Sequence, residues 1–323
     1  MPSPSSALST QRPDLAASFE AFDLEAEKAN FIGTRVAPVV EVGSQAGSFG
    51  KIPLDQLLQQ RDTRRAPGSG YSRGKFTFTP TNFATEEHGA EEAIDDREAK
   101  MYASYFRAEE VSARRAYNAV LRNAEMRWAA AIFNTTTWTG ASLTTAAGTP
   151  WSTVATAVPL TDVEGAVQKV YDNSGLWPNA LVISRKCFRN LRRCTQIIDL
   201  VKYSGFVDTR AGKITEEVLA QCFDLDYVIV AGGSKNTALE GQTATPGQIW
   251  NSTQAMVCRV ATTNDPKEPC IARTFHWLED GSEIDGRFES YRDETVRSDI
   301  IRVRHDVDEI IMYTQAGHLL TSL

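Results

Sequence analysis

The 323-residue sequence predicts a mixed fold, α+β or α/β, on three grounds. Residues 90–139 contain neither Gly nor Pro and hold apolar side chains at helical spacing. Residues 158–262 interleave short helical and strand patterns, and residues 249–320 read as a succession of strands. The alternation of helices and short strands in the middle block makes that unit an α/β or α+β module.

Residues 1–14 are rich in Pro, Ser and Thr and too poor in apolar side chains to order themselves. Leu15, Phe19, Phe22, Ala26 and Ala29 recur at helical spacing and predict a short amphipathic helix ending near Gly33. Residues 34–42 read as an extended arm, because Pro38 lacks a donor and the neighbouring valines favour strand. Residues 43–83 form a long hairpin pattern. Phe49, Ile52, Leu54, Leu57 and Leu58 lead out, and Lys75, Phe76, Thr77, Phe78 and Thr79 alternate on the return. Its tip sets Arg61, Arg64, Arg65 and Arg73 against Asp62, on an Ala-Pro-Gly-Ser-Gly turn. A loop this long without its own core carries a function or packs on another chain.

Within residues 90–139, Tyr102, Tyr105, Phe106, Ala113, Ala116, Tyr117, Val120, Leu121, Ala124 and Trp128 keep one helical stripe. A helix from Asp96 to Phe133 would be about 55 Å long at ~1.5 Å per residue, a strut rather than a packing element. Glu91, Glu92, Asp95 and Asp96 lead into it and Arg122 and Arg127 lie near its end, the order its dipole favours. Turn-rich residues 135–158 mark a boundary. Beyond it the pattern predicts helices over 161–171, 185–194 and 215–222, and strands over 180–184 and 227–230. The final strands fall at 249–260, 272–278, 287–291 and 298–305, followed by an apolar pair at 309–313 and 317–320.

A net charge of −7 with dispersed Lys and Arg argues against a dedicated nucleic-acid binder. No apolar stretch is long enough to span a bilayer, and the first residues lack the features of a secretory signal, so the expected place is the cytoplasm until assembly. Cys187, Cys194, Cys222, Cys258 and Cys270 form no C-x-x-C pair and read as reduced packing residues. No catalytic, cofactor or metal site is expected. Glu86, Glu87, His88, Glu91 and Glu92 read as acids feeding a helix N-terminus, and H-E-x-x-H is absent. Gly212-Lys213 fails as a phosphate loop, since Val207 and Ile214 occupy its defining positions. His305 and Asp306 are strand neighbours pointing to opposite faces, and His305 reads as structural.

The order of these elements resembles the major capsid proteins of tailed bacteriophages, Hong Kong ninety-seven type. The stretches that carry the likeness are GAEEAIDDREAK, WPNALVISRKCFRNLRR, IDLVKYSG, ITEEVLAQCFDLDYVIVAGGSKNT and IIRVRHDVDEIIMYTQAGHLL. The resemblance implies an N-terminal arm (1–43), an extended loop (44–88), a peripheral domain with a spine helix (89–157), an axial domain (158–262) and peripheral C-terminal strands (263–323). It implies a structural protein and no enzyme, which assembles through pentamers and hexamers into an icosahedral shell around double-stranded DNA. It further implies a virion location, assembly in the host cytoplasm, a portal, a separate scaffolding chain and a decoration protein. A nanocompartment shell of the same fold, holding an enzyme cargo, is the alternative; a soluble enzyme is a more remote one. Lys51 and Lys75 are the loop lysines that an isopeptide cross-link of the family's kind would need, and no such cross-link is expected. Inter-subunit contacts are expected at Phe49, Leu54 and Leu57, and between Arg61, Arg64 and Arg65 of one copy and Glu86, Glu87, Glu91 and Glu92 of another.

Overall fold

The computed structural model describes residues 10–11, 31–51, 53, 56, 58–60, 62–75, 77–102, 108–204, 214–239, 241–279 and 281–323. The helix expected over 15–30, Leu54, Leu57, Arg61 and Gly212-Lys213 lie outside them. In chain order the first elements are β1 (Thr10–Gln11), α1 (Gly33–Val36), β2 (Val39–Val42), β3 (Ala46–Lys51), β4 (Thr79–Ala84) and β5 (Glu86–Asp95). Next come α2 (Asp96–Tyr102), α3 (Ala108–Ile132), β6 (Thr144–Ala146), α4 (Pro159–Ser174), β7 (Ala180–Ser184), α5 (Arg185–Leu191) and α6 (Thr195–Ser204). The remainder is α7 (Glu216–Cys222), β8 (Tyr227–Ala231), β9 (Ser234–Asn236), β10 (Pro246–Gln248), β11 (Ala255–Cys258), β12 (Ala272–Trp277), β13 (Arg287–Asp293), β14 (Ser298–Ile311) and β15 (Gly317–Thr321).

Two large sheets organise the chain. The six-stranded sheet runs β1-β13-β14-β12-β2, and β5 also pairs with β14. The long strand β14 is its spine. It takes β5 antiparallel from Ser298 to Val307, β13 up to Arg304, and β12 at its far end. Helix α3 lies on this sheet through Ala113, Ala116, Tyr117 and Val120, which meet Ile94, Phe288, Ile301 and Val303. Those helical positions fall at i, i+3, i+4 and i+7, one stripe facing one sheet.

The second sheet runs β6-β15-β11-β7-β8. Every residue of β7 is buried, because α4, α5, α6 and α7 cover one face while the end of α3, Trp250 and the α1 turn cover the other. A strand buried on both faces reads as a continuous apolar run, as Ala-Leu-Val-Ile-Ser does. Ser184 caps α5 by accepting from the Cys187 N–H, and Thr215 caps α7 by accepting from Val218.

Several expectations change. The arm is not extended throughout: Gly33–Val36 make a helical turn before β2 pairs parallel with β12. The cause is burial of Ile32, Val36 and Ala37 within the same chain. The returning strand of the hairpin starts at Thr79, four residues later than its alternation suggests, because Phe83 rather than Phe78 finds an aromatic partner. Helix is present at Asp96–Tyr102 and Ala108–Ile132, with the residues between outside the described set. The approach to it, Glu86–Asp95, is a ten-residue strand. Residues 249–260 supply only the short β11, and the expected strand at 309–313 is the continuation of β14. Helix α6, which the sequence pattern does not single out, covers the second sheet through Ile197 and Val201. The last strand, β15, leaves the six-stranded sheet of β12–β14 and pairs with β11 and β6.

Candidate inter-subunit surfaces

The root of the extended hairpin docks on its own chain. Phe49 and Phe83 pack on Phe275 with ring centroids 5.4 and 5.0 Å apart, and the Lys51 ammonium lies 4.1 Å over the Tyr313 ring while donating to the Met312 carbonyl. Burial pushes the Lys51 pKa down. The expectation that the long hairpin lacks a core of its own is therefore corrected at this root, where Val40, Phe275, Met312 and Tyr313 supply one. Farther out the loop is largely exposed: Leu58, which lies against Gly175 at the end of α4, Tyr71 and Phe78 are 59%, 73% and 61% exposed. Arg64 and Arg65 are exposed at the tip. Arg65 donates to the Ser69 carbonyl at 2.7 Å and stacks 4.8 Å over Tyr71, so the tip is ordered by its own contacts.

The acids expected to receive those arginines sit on β5 and are largely matched within the chain. Glu91 lies directly across the ladder from Arg302 and pairs with it at 2.6 Å. Glu92 meets Arg115 of α3 at 3.4 Å, and Glu87 meets Arg304 at 3.9 Å. Arg302 and Arg304 also reach Glu289 on β13, at 3.6 and 3.4 Å. Opposite charges directly across a ladder stabilise it, as Glu91 and Arg302 do here, whereas Glu87 faces Asp306 and reaches Arg304 only on the diagonal. Glu86 and Glu87 are exposed at the end of β5 nearest the hairpin.

A buried carboxylate joins the start of α1 to α3. Glu125 of α3 accepts the N–H groups of Ile32 and Gly33 at 2.9 and 2.8 Å and the Trp250 indole at 2.5 Å. Burial raises its pKa, against the pull of those three donors. A Cβ on Gly33 would lie 2.6 Å from Trp128, so this close approach requires glycine. Two residues along α3, Arg127 holds Glu309 of β14 in a bidentate pair with contacts of 2.6 to 3.0 Å. The sequence carried one overlooked signal for this joint: Glu125 is a lone acid on the Leu121–Trp128 apolar stripe.

The remaining chemistry-bearing residues are placed as packing groups. His305 is buried, its Nδ1 3.1 Å from the Ile284 carbonyl, and burial lowers its pKa to about 4. Burial pushes the Cys187 thiol up to about 12, which opposes thiolate formation. Cys194 lies past the end of α5 rather than on it, in the same core. Among the described residues no group of three or more His, Cys, Asp and Glu could hold a metal ion.

No protein-family model matches the chain. Its sequence is 24% identical over 300 residues to the major capsid protein of Burkholderia phage BcepMu, covering 91% of this chain and 92% of that protein. Among solved structures, a phage-related protein of Bordetella bronchiseptica RB50 matches with a TM-score of 0.70 and 21% identity over 97% of both chains. The capsid of Cyanophage P-SCSP1u matches at 0.58 with 10% identity, covering 89% of this chain and 86% of that one. The SrpI encapsulin of Synechococcus elongatus PCC 7942 matches at 0.52 with 9% identity, covering 90% and 86%. The chain has the tailed-phage major capsid protein fold, Hong Kong ninety-seven type, and in sequence it is similar to a phage major capsid protein.

Proposed function

We propose that this protein is a phage capsid shell subunit that assembles through pentamers and hexamers into an icosahedral container for double-stranded DNA. The observation that carries the reading is the hairpin beyond its root: a long loop with exposed Leu58, Tyr71 and Phe78 and a basic tip, projecting from a chain whose other cores are closed. Such a loop gains burial on a sister copy, and closed symmetry lets identical subunits satisfy that need. Interfaces of this obligate kind bury more than about 2,000 Å². On this reading residues 158–262 with β15 form the axial domain, and α3 with the six-stranded sheet forms the peripheral one. Arg61, Arg64 and Arg65 meet the neighbour's β5 acids, above all Glu86 and Glu87, which are exposed. Shells form in the host cytoplasm with a scaffolding chain, a portal and a decoration protein, and end in the virion.

Negative-stain electron microscopy of the purified protein tests this directly. Closed particles that protect DNA from nuclease support it, and a small oligomer that forms no particle under any condition overturns it. The likeness to an encapsulin favours one second reading, a shell around an enzyme cargo. Particles free of DNA that co-purify with an enzyme would decide for that alternative.

A further inference from the structure

The axial unit carries an aromatic groove that the described residues of its own chain leave open. Trp177 is 57% exposed and stacks on the exposed Tyr171 with centroids 4.5 Å apart. Beside them α4, α6 and the end of α7 enclose a groove of about 530 Å³ whose floor and walls include Val167, Leu200 and Phe223. Among the described residues the charged groups lining it are Glu164 and Asp224, and Arg259 lies at its margin, donating to the Trp177 carbonyl at 3.2 Å. Four of the chain's six tryptophans are fully buried, so an indole left in solvent beside an apolar groove marks a contact surface.

The opposite end of the same unit is basic. Strands β7 and β8 are parallel, in register from Ala180 with Tyr227 to Ser184 with Ala231. Trp177 and Asp224 precede their first residues, whereas α5 follows the last residue of β7. One strand length, about 16 Å at ~3.3 Å per residue, separates the two ends. Helix α5 and the turn after it present Arg185, Lys186, Arg189 and Arg193, all exposed, and residues 185–194 include no acid. Glu216 and Glu217 near this end sit in the first turn of α7, where the helix dipole favours them.

We propose that the Trp177 groove is filled by the α5 face of a second copy of this chain, in a head-to-tail contact between neighbouring axial units. An acidic apolar groove at one end and a basic face at the other make the unit complementary to itself by rotation. Such a heterologous contact closes into a ring when the rotation closes. The inference rests on the shell reading above and specifies which surfaces of the axial unit meet.

Charge exchange tests it. One variant carries Glu164→Lys with Asp224→Lys, a second carries Arg185→Glu with Arg189→Glu, and a third carries all four substitutions. Each half-exchange should raise the protein concentration needed for particle formation by about tenfold or more, and the full exchange should bring it back towards wild type. Half-exchanged proteins that assemble as wild type does, or a folded full exchange as defective as either half, overturn the pairing. Acrylamide quenching of wild type against Trp177→Phe gives a second readout that needs no charge change. The Trp177 signal should be quenched in dissociated subunits and protected in particles, and an indole still quenched in particles overturns the proposal. A wild-type chain that never assembles would instead overturn the shell reading itself, and the two failures are thereby distinct.

Discussion

The Gly33 amide donates to the Glu125 carboxylate at 2.8 Å across 92 positions of sequence, and so ties the start of the arm to the strut helix. The second carboxylate oxygen serves both Ile32 and Trp250. One buried acid thus fixes three segments that share no local sequence signal.

Glu125→Gln keeps an oxygen for Ile32 and Trp250 but turns an amide group towards the Gly33 N–H. The expected loss is about 1–3 kcal/mol, read by urea denaturation of dissociated subunits. Glu125→Ala orphans all three donors and should cost more. The sign with pH follows from burial. The folded pKa lies above the ordinary 4.5, so stability from the protonated form is present below 4.5 and declines as pH rises through the folded value. The deficit of the Gln variant should therefore shrink as pH rises across that window; a deficit that grows there contradicts the burial argument.

Arg127→Met leaves Glu309 without its bidentate partner in a half-buried site between α3 and β14. We expect about 2–4 kcal/mol of destabilisation, with Arg127→Lys intermediate because an ammonium cannot reproduce the fork. Thermal melts of both variants check this, and equal effects would discount the bidentate geometry.

His305 is buried neutral, with its pKa lowered from 6.5 to about 4. Its contribution is therefore complete above pH 6.5 and is lost as pH falls through about 4, up to about 3 kcal/mol in all. Comparing wild type with His305→Gln between pH 7 and pH 4 isolates the effect from the carboxylates that titrate in the same range. The two curves should converge on acidification, and parallel curves would show that His305 takes up its proton equally in the folded and unfolded chain.

Gly175 ends α4 at φ +67°, and a side chain there would collide with Leu58 of the extended loop. Gly175→Ala should cost about 1 kcal/mol or more from the left-handed backbone alone. It should also displace Leu58, making proteolysis within residues 58–78 faster. Unchanged cleavage there would mean the loop does not rest on α4.

Removing residues 61–71 should leave folded subunits, since this tip serves none of the chain's own cores, yet impair closed shells. Folding is followed by circular dichroism and shell formation by sedimentation. Normal particles of normal stability would show that the tip is dispensable.

Most elements were legible because their causes are local. The helix α4, the buried strand β7, the capped helices α5 and α7 and the stripe on α3 follow from spacing, caps and apolar runs within a few residues. The acids of residues 86–95 misled for the opposite reason: as a helix approach they satisfy the dipole rule, and only the ladder with β14, some 200 positions away, makes them a strand. Glu125 was missed because its donors lie on the arm and near β11.

By itself, then, the sequence determined a mixed α and β class, the order of arm, loop, helix and strands, and a basic loop tip without a local core. The tertiary structure alone decided that Phe49 is anchored at home, that β15 joins the five-stranded sheet, and that Trp177 stays in solvent. Spacing along a chain reports which face of an element is apolar, but the partner of that face is fixed by long-range packing, which no short window of residues encodes.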